Sequence, residues 1–120
     1  MRRTFVETSV FLEEWRSAGL GDDDMMELQD DLLEDPKRGD VVTGACGIRK
    51  LRVALPGMGR RGGGRVIYKD YPEYHHLILF YFYRKGDQVD LTKDEKRAIC
   101  KALSDLEPVF KKLSGHRGKQ

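Results

Sequence analysis

Two hydrophobic periodicities alternate along the chain. Thr4 to Glu7 reads as a short strand. From Ser9 to Ala18 the spacing lengthens, and Phe11 and Trp15, four residues apart and beside Val10, predict a short helix. Gly19 and Gly21 end it. Asp22, Asp23 and Asp24 then offer N-cap and first-turn carboxylates to a second helix, in which Met25, Leu28 and Leu32 recur at helical spacing beside Leu33. That helix should stop before Pro36, because the residue preceding a proline avoids the helical region.

From Ile48 the period drops to two. Leu51, Val53 and Leu55 fall on one face and Lys50 and Arg52 on the other. Pro56, Gly57, Gly59 and the triplet Gly62, Gly63, Gly64 make a loop, after which strands are expected over Arg65–Lys69 and His76–Arg84, paired antiparallel. Pro72 suits the turn between them. Thr92 begins the last helix as the cap of a capping box closed by Glu95, and Ile99, Leu103 and Leu106 form its apolar side. The order implies an α+β domain: a small antiparallel sheet, two N-terminal helices and one C-terminal helix, with the helices on one sheet face. Residues 1–113 form this single domain, and 114–120 a basic flexible tail.

Composition adds a division of charge that the net +2 conceals. Residues 1–46 carry 5 basic and 12 acidic side chains, residues 47–70 carry 7 and 1, and residues 71–120 carry 10 and 7. A basic middle beside an acidic front makes a polarised surface whose positive part attracts phosphate or acidic protein. The acidic helix from Asp22 to Asp35 reads as a solvated face, with self-shielding or partner docking as its functional alternative. Cys46 and Cys100 have no CxxC spacing; a disulfide between them is possible by arithmetic, but they read better as reduced, buried fillers of a cytosolic protein. No apolar run has the length of a signal peptide or a membrane span, so a cytoplasmic protein is expected. No metal-ligand cluster is visible, and no cofactor is expected.

The basic residues of the middle segment are placed regularly. Lys50 and Arg52 share a strand face, Arg65 opens the next strand, and Lys85 ends the third beside Tyr81 and Tyr83. Arg49, Arg60, Arg61, Lys69 and Arg84 extend the positive surface. A cationic, aromatic-edged concavity on a sheet suits a polyanion, with guanidinium groups on phosphate oxygens and tyrosine rings against unpaired bases. Tyr81 and Tyr83 alternate with Phe80 and Phe82, so one of these pairs should be core. Trp15 reads as core. Adjacent His75 and His76 point to opposite strand faces and cannot act together on one phosphate. The glycine run precedes no helix, which excludes a P-loop.

The series G-I-R-K-L-R at Gly47 to Arg52, R-R-G-G-G at Arg60 to Gly64, R-V-I-Y at Arg65 to Tyr68, Y-R-K at Tyr83 to Lys85 and D-L-T at Asp90 to Thr92 resembles the HigB-type branch of the RelE-like toxins. The resemblance runs from about Phe5 to Leu106. It implies a microbial-ribonuclease-like fold and metal-independent, ribosome-dependent cleavage of mRNA. It also implies a cognate antitoxin with a helix-turn-helix domain, operator DNA bound through that antitoxin, and a monomeric free toxin. Carried over by position, Lys50 would help activate the 2′-hydroxyl, Arg52 and Arg65 would hold the scissile phosphate, and Lys85 or Tyr83 would assist the leaving group. Arg60 and Arg61 depart from the pattern, standing where lysine and a variable residue are common; arginine cannot serve as a base, so they would hold RNA backbone. A second function class stays open: a non-catalytic module, degenerate or phage-derived, that binds RNA or a regulatory protein.

Overall fold

The strand from His76 to Arg84 (β5) organises the fold because it is apolar on both faces. Leu77, Ile78, Leu79, Phe82 and Tyr83 are all buried, a pattern that requires cover on each side. In the computed structural model, which describes residues 2–56, 63–86 and 90–118 with side chains as far as Leu113, that cover comes from helices on opposite faces. The chain runs through β1 (Thr4–Glu7), α1 (Ser9–Ser17), α2 (Asp22–Glu34), β2 (Asp40–Val41), β3 (Arg49–Val53), β4 (Gly64–Tyr71), a 3-10 turn at Pro72–Tyr74, β5, and α3 (Lys93–Gly118). The strands form one sheet in the order β1-β5-β4-β3-β2.

The α+β class stands, with two changes to its expected geometry. The sheet is mixed, since β1 lies parallel to β5 while the other pairs are antiparallel. β1 is fixed there by Arg3, whose guanidinium donates to both carboxylate oxygens of Asp70 on β4, at 2.7 and 3.2 Å. The helices also do not share a face. α1 and α2 pack Phe11, Trp15, Leu28 and Leu32 against Val66, Tyr68 and Phe82. α3 packs Ile99, Leu103 and Phe110 on the other side against Ile67, Ile78 and Tyr83.

Local signals set the helix ends. Thr8 caps α1 by accepting from the Phe11 N–H at 3.0 Å, and the Thr8 hydroxyl donates to the Phe80 carbonyl at 2.7 Å. At α2 the Asp24 carboxylate accepts from the Gly21 N–H at 2.8 Å. The capping box of α3 is reciprocal: Thr92 N–H donates to Glu95 at 2.8 Å and Glu95 N–H to Thr92 Oγ1 at 3.1 Å. α3 continues through Pro108 to Gly118. Buried Phe110 anchors it beyond the proline by stacking on His76, with ring centroids 4.6 Å apart.

The register of β4 with β5 slips at Ile67/Tyr68, leaving Phe80 without an opposite residue. This bulge, together with two-sided cover, overturns the expected choice between a phenylalanine pair and a tyrosine pair. Phe82 and Tyr83 are buried and Phe80 and Tyr81 half-buried. Trp15 is core, 2% exposed and edge-on to Phe82.

The cysteines differ most from expectation. Cys46, in the loop before β3, and Cys100, on α3, form a disulfide with a Cα–Cα separation of 5.7 Å. Cys46 is exposed and Cys100 half-buried, so neither is a buried filler. Crossing α3 over the sheet brings together two residues that are 54 apart in sequence.

Candidate active site

Cross-strand pairing places three of the sequence-selected residues in one row. Arg52 on β3 is opposite Arg65 on β4, and Arg65 is opposite Tyr83 on β5. The adjacent row is Lys50, Ile67 and Tyr81. Because side chains alternate across a sheet, both rows face the side covered by α3, which is where Ile67 and Tyr83 pack. The period-two reading of Lys50 and Arg52 against Leu51 and Val53 thus holds, with Leu51 and Val53 packed on the α1–α2 core. The row lies at the sheet end where β4 begins and β5 finishes.

Arg65 is 8% exposed, and its guanidinium donates to the Gly64 carbonyl at 2.9 Å. Tyr83 is 4% exposed, and its hydroxyl has no hydrogen-bond partner among the described residues. Burial, then the charge of Asp90, pushes the Tyr83 phenol above its ordinary 10.0, against a lowering by Arg65. Tyr83 therefore stays protonated at neutral pH and able to donate. Its ring lies beside that of Tyr81, centroids 5.9 Å apart.

Asp90, which the sequence reading used only as part of D-L-T, enters the site from the segment leading into α3. Its carboxylate lies 3.6 Å from Lys50 Nζ. The Leu91 N–H, and then Lys50 and Lys96, hold that carboxyl below 3.8 despite some desolvation. Its one sequence signal was its place ahead of the capping box.

The remaining candidates divide. Lys85 is exposed directly after β5, with its N–H on the Gly63 carbonyl. Lys69 shares the α3 face, but lies four residues along β4 from Arg65, roughly 13 Å at strand rise, with Nζ 5.2 Å from the Tyr71 ring centroid. Arg49 pairs with Tyr68 on the opposite face, where its guanidinium donates to the Gly39 carbonyl at 2.7 Å. Arg84 turns the same way and donates to the Ser17 carbonyl at the end of α1 at 2.7 Å. Both are structural ties away from the row. Arg60, Arg61 and most of the glycine loop lie outside the described residues. His75 has a left-handed φ of 56° at the turn, while His76 is buried with Nδ1 2.6 Å from the Tyr74 carbonyl.

The surroundings of the row are charged on one flank. Arg52 also borders a groove of about 440 Å³ between α2 and β3, lined by Asp24, Glu27, Asp31 and Arg38. The acidic face of α2 therefore borders the cationic strand. Among the described residues no three His, Cys, Asp or Glu side chains gather as metal ligands, and no helix is long and apolar enough to cross a membrane.

No protein-family model matches the chain. Solved structures do. A double arginine variant of E. coli toxin RelE in the free state superposes with a TM-score of 0.51 at 20% identity, covering 73% of this chain and 88% of that one. The isolated E. coli RelE toxin superposes with a TM-score of 0.52 at 17% identity, covering 86% of this chain and 100% of that one. The chain has the RelE toxin fold. At this identity the likeness concerns the backbone, and the RelE-like sheet is what carries the Arg52–Arg65–Tyr83 row. The expectation of a RelE-type fold is met.

Proposed function

We propose that this protein is the toxin of a type II toxin–antitoxin pair of HigB type, and that it cuts mRNA on the ribosome. The carrying observation is the Arg52–Arg65–Tyr83 row beside Lys50 on one face of a RelE-type sheet. Cleavage by the 2′-hydroxyl needs charge stabilisation at the phosphorane and a proton for the departing 5′-oxygen. Arg52 and Arg65 supply the first by binding phosphate oxygens. Tyr83, buried and protonated, supplies the second. An ammonium group facing a carboxylate at 3.6 Å is better suited to bind charge than to remove a proton, so Lys50 joins the phosphate-binding set instead of acting as base. Lys85 stands exposed at the same sheet end, where it would hold RNA backbone.

On this reading the protein is cytoplasmic, monomeric when free, and silenced by a neighbouring helix-turn-helix antitoxin through which the pair meets operator DNA. The test uses Arg52→Ala and Lys50→Ala, two side chains on the strand surface whose loss leaves both cores intact. Each is expected to lower cleavage by roughly 10²–10³-fold, the scale of losing one charge-stabilising contact, with the melting temperature kept. Full cleavage by the double variant would overturn the assignment. RNA binding without cleavage by the unmodified chain would favour the non-catalytic module.

A further inference from the structure

The disulfide joins the two parts of the chain that meet over the cationic face. Cys46 lies four residues before Lys50, in the loop that leads into β3. Cys100 lies on α3, whose apolar side covers the same face and whose leading segment sets Asp90 against Lys50. Both cysteines border a cavity of about 450 Å³ on the molecular surface, together with Lys69, Glu73, Ser104 and Glu107. Cys46 is exposed, and its backbone adopts a left-handed φ of 60°. Next to it, Gly47 has a φ of +84°, and a Cβ there would lie 2.5 Å from Lys69 Nζ. Lys69 thus lies against the Gly47 backbone and lines the same cavity as both cysteines, where a cation draws in an anionic reductant.

We propose that Cys46–Cys100 is a thiol–disulfide exchange site, opened by a dithiol reductant, that sets how firmly α3 is held over the cationic face. One thiolate of the reductant attacks Cys46 Sγ through the cavity. The S–S bond breaks, its electron pair leaves on Cys100 Sγ, and that thiolate takes a proton from water. The second thiol of the reductant, once deprotonated, attacks its own sulfur in the mixed disulfide and expels Cys46 as a thiolate, which is protonated in turn. The protein gains two electrons and two protons, and the reductant becomes its own disulfide. In the oxidised form α3 is fixed to the loop before β3, and Asp90 stays against Lys50. In the reduced form that covalent tie is gone, and the helix is held by noncovalent contacts, the apolar packing and the Asp90 pair among them.

The proposal goes beyond the nuclease reading and holds whether or not the face cuts RNA. The experiment equilibrates the full chain over a ladder of reduced and oxidised dithiothreitol, counts thiols by alkylation and intact mass, and compares amide hydrogen exchange of the two end states. The expected result is one two-electron transition in which both thiols appear together. Exchange should then rise by on the order of tenfold or more in 93–110 and 46–52, with α1 and α2 unchanged. Thiols that remain free under oxidising conditions, or equal α3 exchange in both states, would overturn it. Lys69→Gln provides a second readout independent of helix motion. It is expected to slow reduction several-fold because the cation no longer draws the incoming thiolate to Cys46, and an unchanged rate would remove Lys69 from the site.

Discussion

Replacing Tyr83 by phenylalanine removes one oxygen and little else. The ring is packed in the α3-side core at 4% exposure, and the hydroxyl lacks a hydrogen-bond partner among the described residues. A buried polar group left unpaired costs about 1–3 kcal/mol, so Tyr83→Phe is expected to stabilise the fold by about 1–2 kcal/mol. With about 2.1 cal/mol/K of unfolding entropy per residue over 120 residues, each kcal/mol moves the melting temperature by roughly 4 °C. The expected rise is therefore roughly 4–8 °C. Activity should move the other way, because loss of a positioned proton donor slows cleavage by roughly 10²–10⁴-fold. Thermal unfolding and single-turnover RNA cleavage on the same preparation read both effects. A more stable, less active variant is the mark of a side chain retained for function at a cost in stability. A fall in melting temperature would mean that the hydroxyl has a partner in the folded protein. Unchanged cleavage would remove Tyr83 from the chemistry, and either result refutes the reasoning.

Three further changes have signs that follow from the contacts. Tyr68→Phe should destabilise by about 2–4 kcal/mol in urea unfolding, since the buried hydroxyl donates to the Pro36 carbonyl at 2.8 Å and accepts from the Gly39 N–H at 2.9 Å; a loss too small to measure would contradict that pairing. Cys46→Ser with Cys100→Ser should lower stability by about 4 kcal/mol on the chain-entropy account of a 54-residue separation. Its unfolding midpoint should match that of the reduced protein, and equal midpoints for oxidised and reduced protein would exclude a bond in solution. Asp90→Asn removes the anion that faces Lys50, so single-stranded RNA should bind more tightly at neutral pH. The Asp90 pKa is depressed below 3.8, so its contribution to stability is full above that value and lost as the pH falls through the lower folded one. The urea midpoints of wild type and variant should therefore converge below pH 3.8; a gap that persists there would place the effect elsewhere.

Most elements were legible because local chemistry fixes them. The capping box at Thr92 and Glu95, the proline after α2 and the period of two through Leu51 and Val53 each act within a few residues. The facing of Lys50, Arg52 and Arg65 followed from the same alternation. What escaped was set by contacts between distant segments. The continuous apolar run of β5 says that both faces are covered, yet not which helix covers which. β1 is a four-residue strand whose parallel pairing depends on Arg3 reaching Asp70, 67 residues away. The cysteine pair depends on where α3 crosses the sheet, and the Phe80 bulge on a register that no periodicity states. Arg49 and Arg84 looked like members of the basic surface, but each caps a backbone carbonyl on the far side. Composition alone cannot separate a cation that meets ligand from one that ties a loop.

The most direct test adds the purified chain to one mRNA, both free and loaded on ribosomes, and maps the new 5′ ends, with a Lys50→Ala, Arg52→Ala double variant as control. The account predicts cuts in the ribosome-loaded message alone, absent with the variant. No cuts in either message, with RNA or ribosome binding intact, would contradict it and leave the likeness to RelE as one of fold.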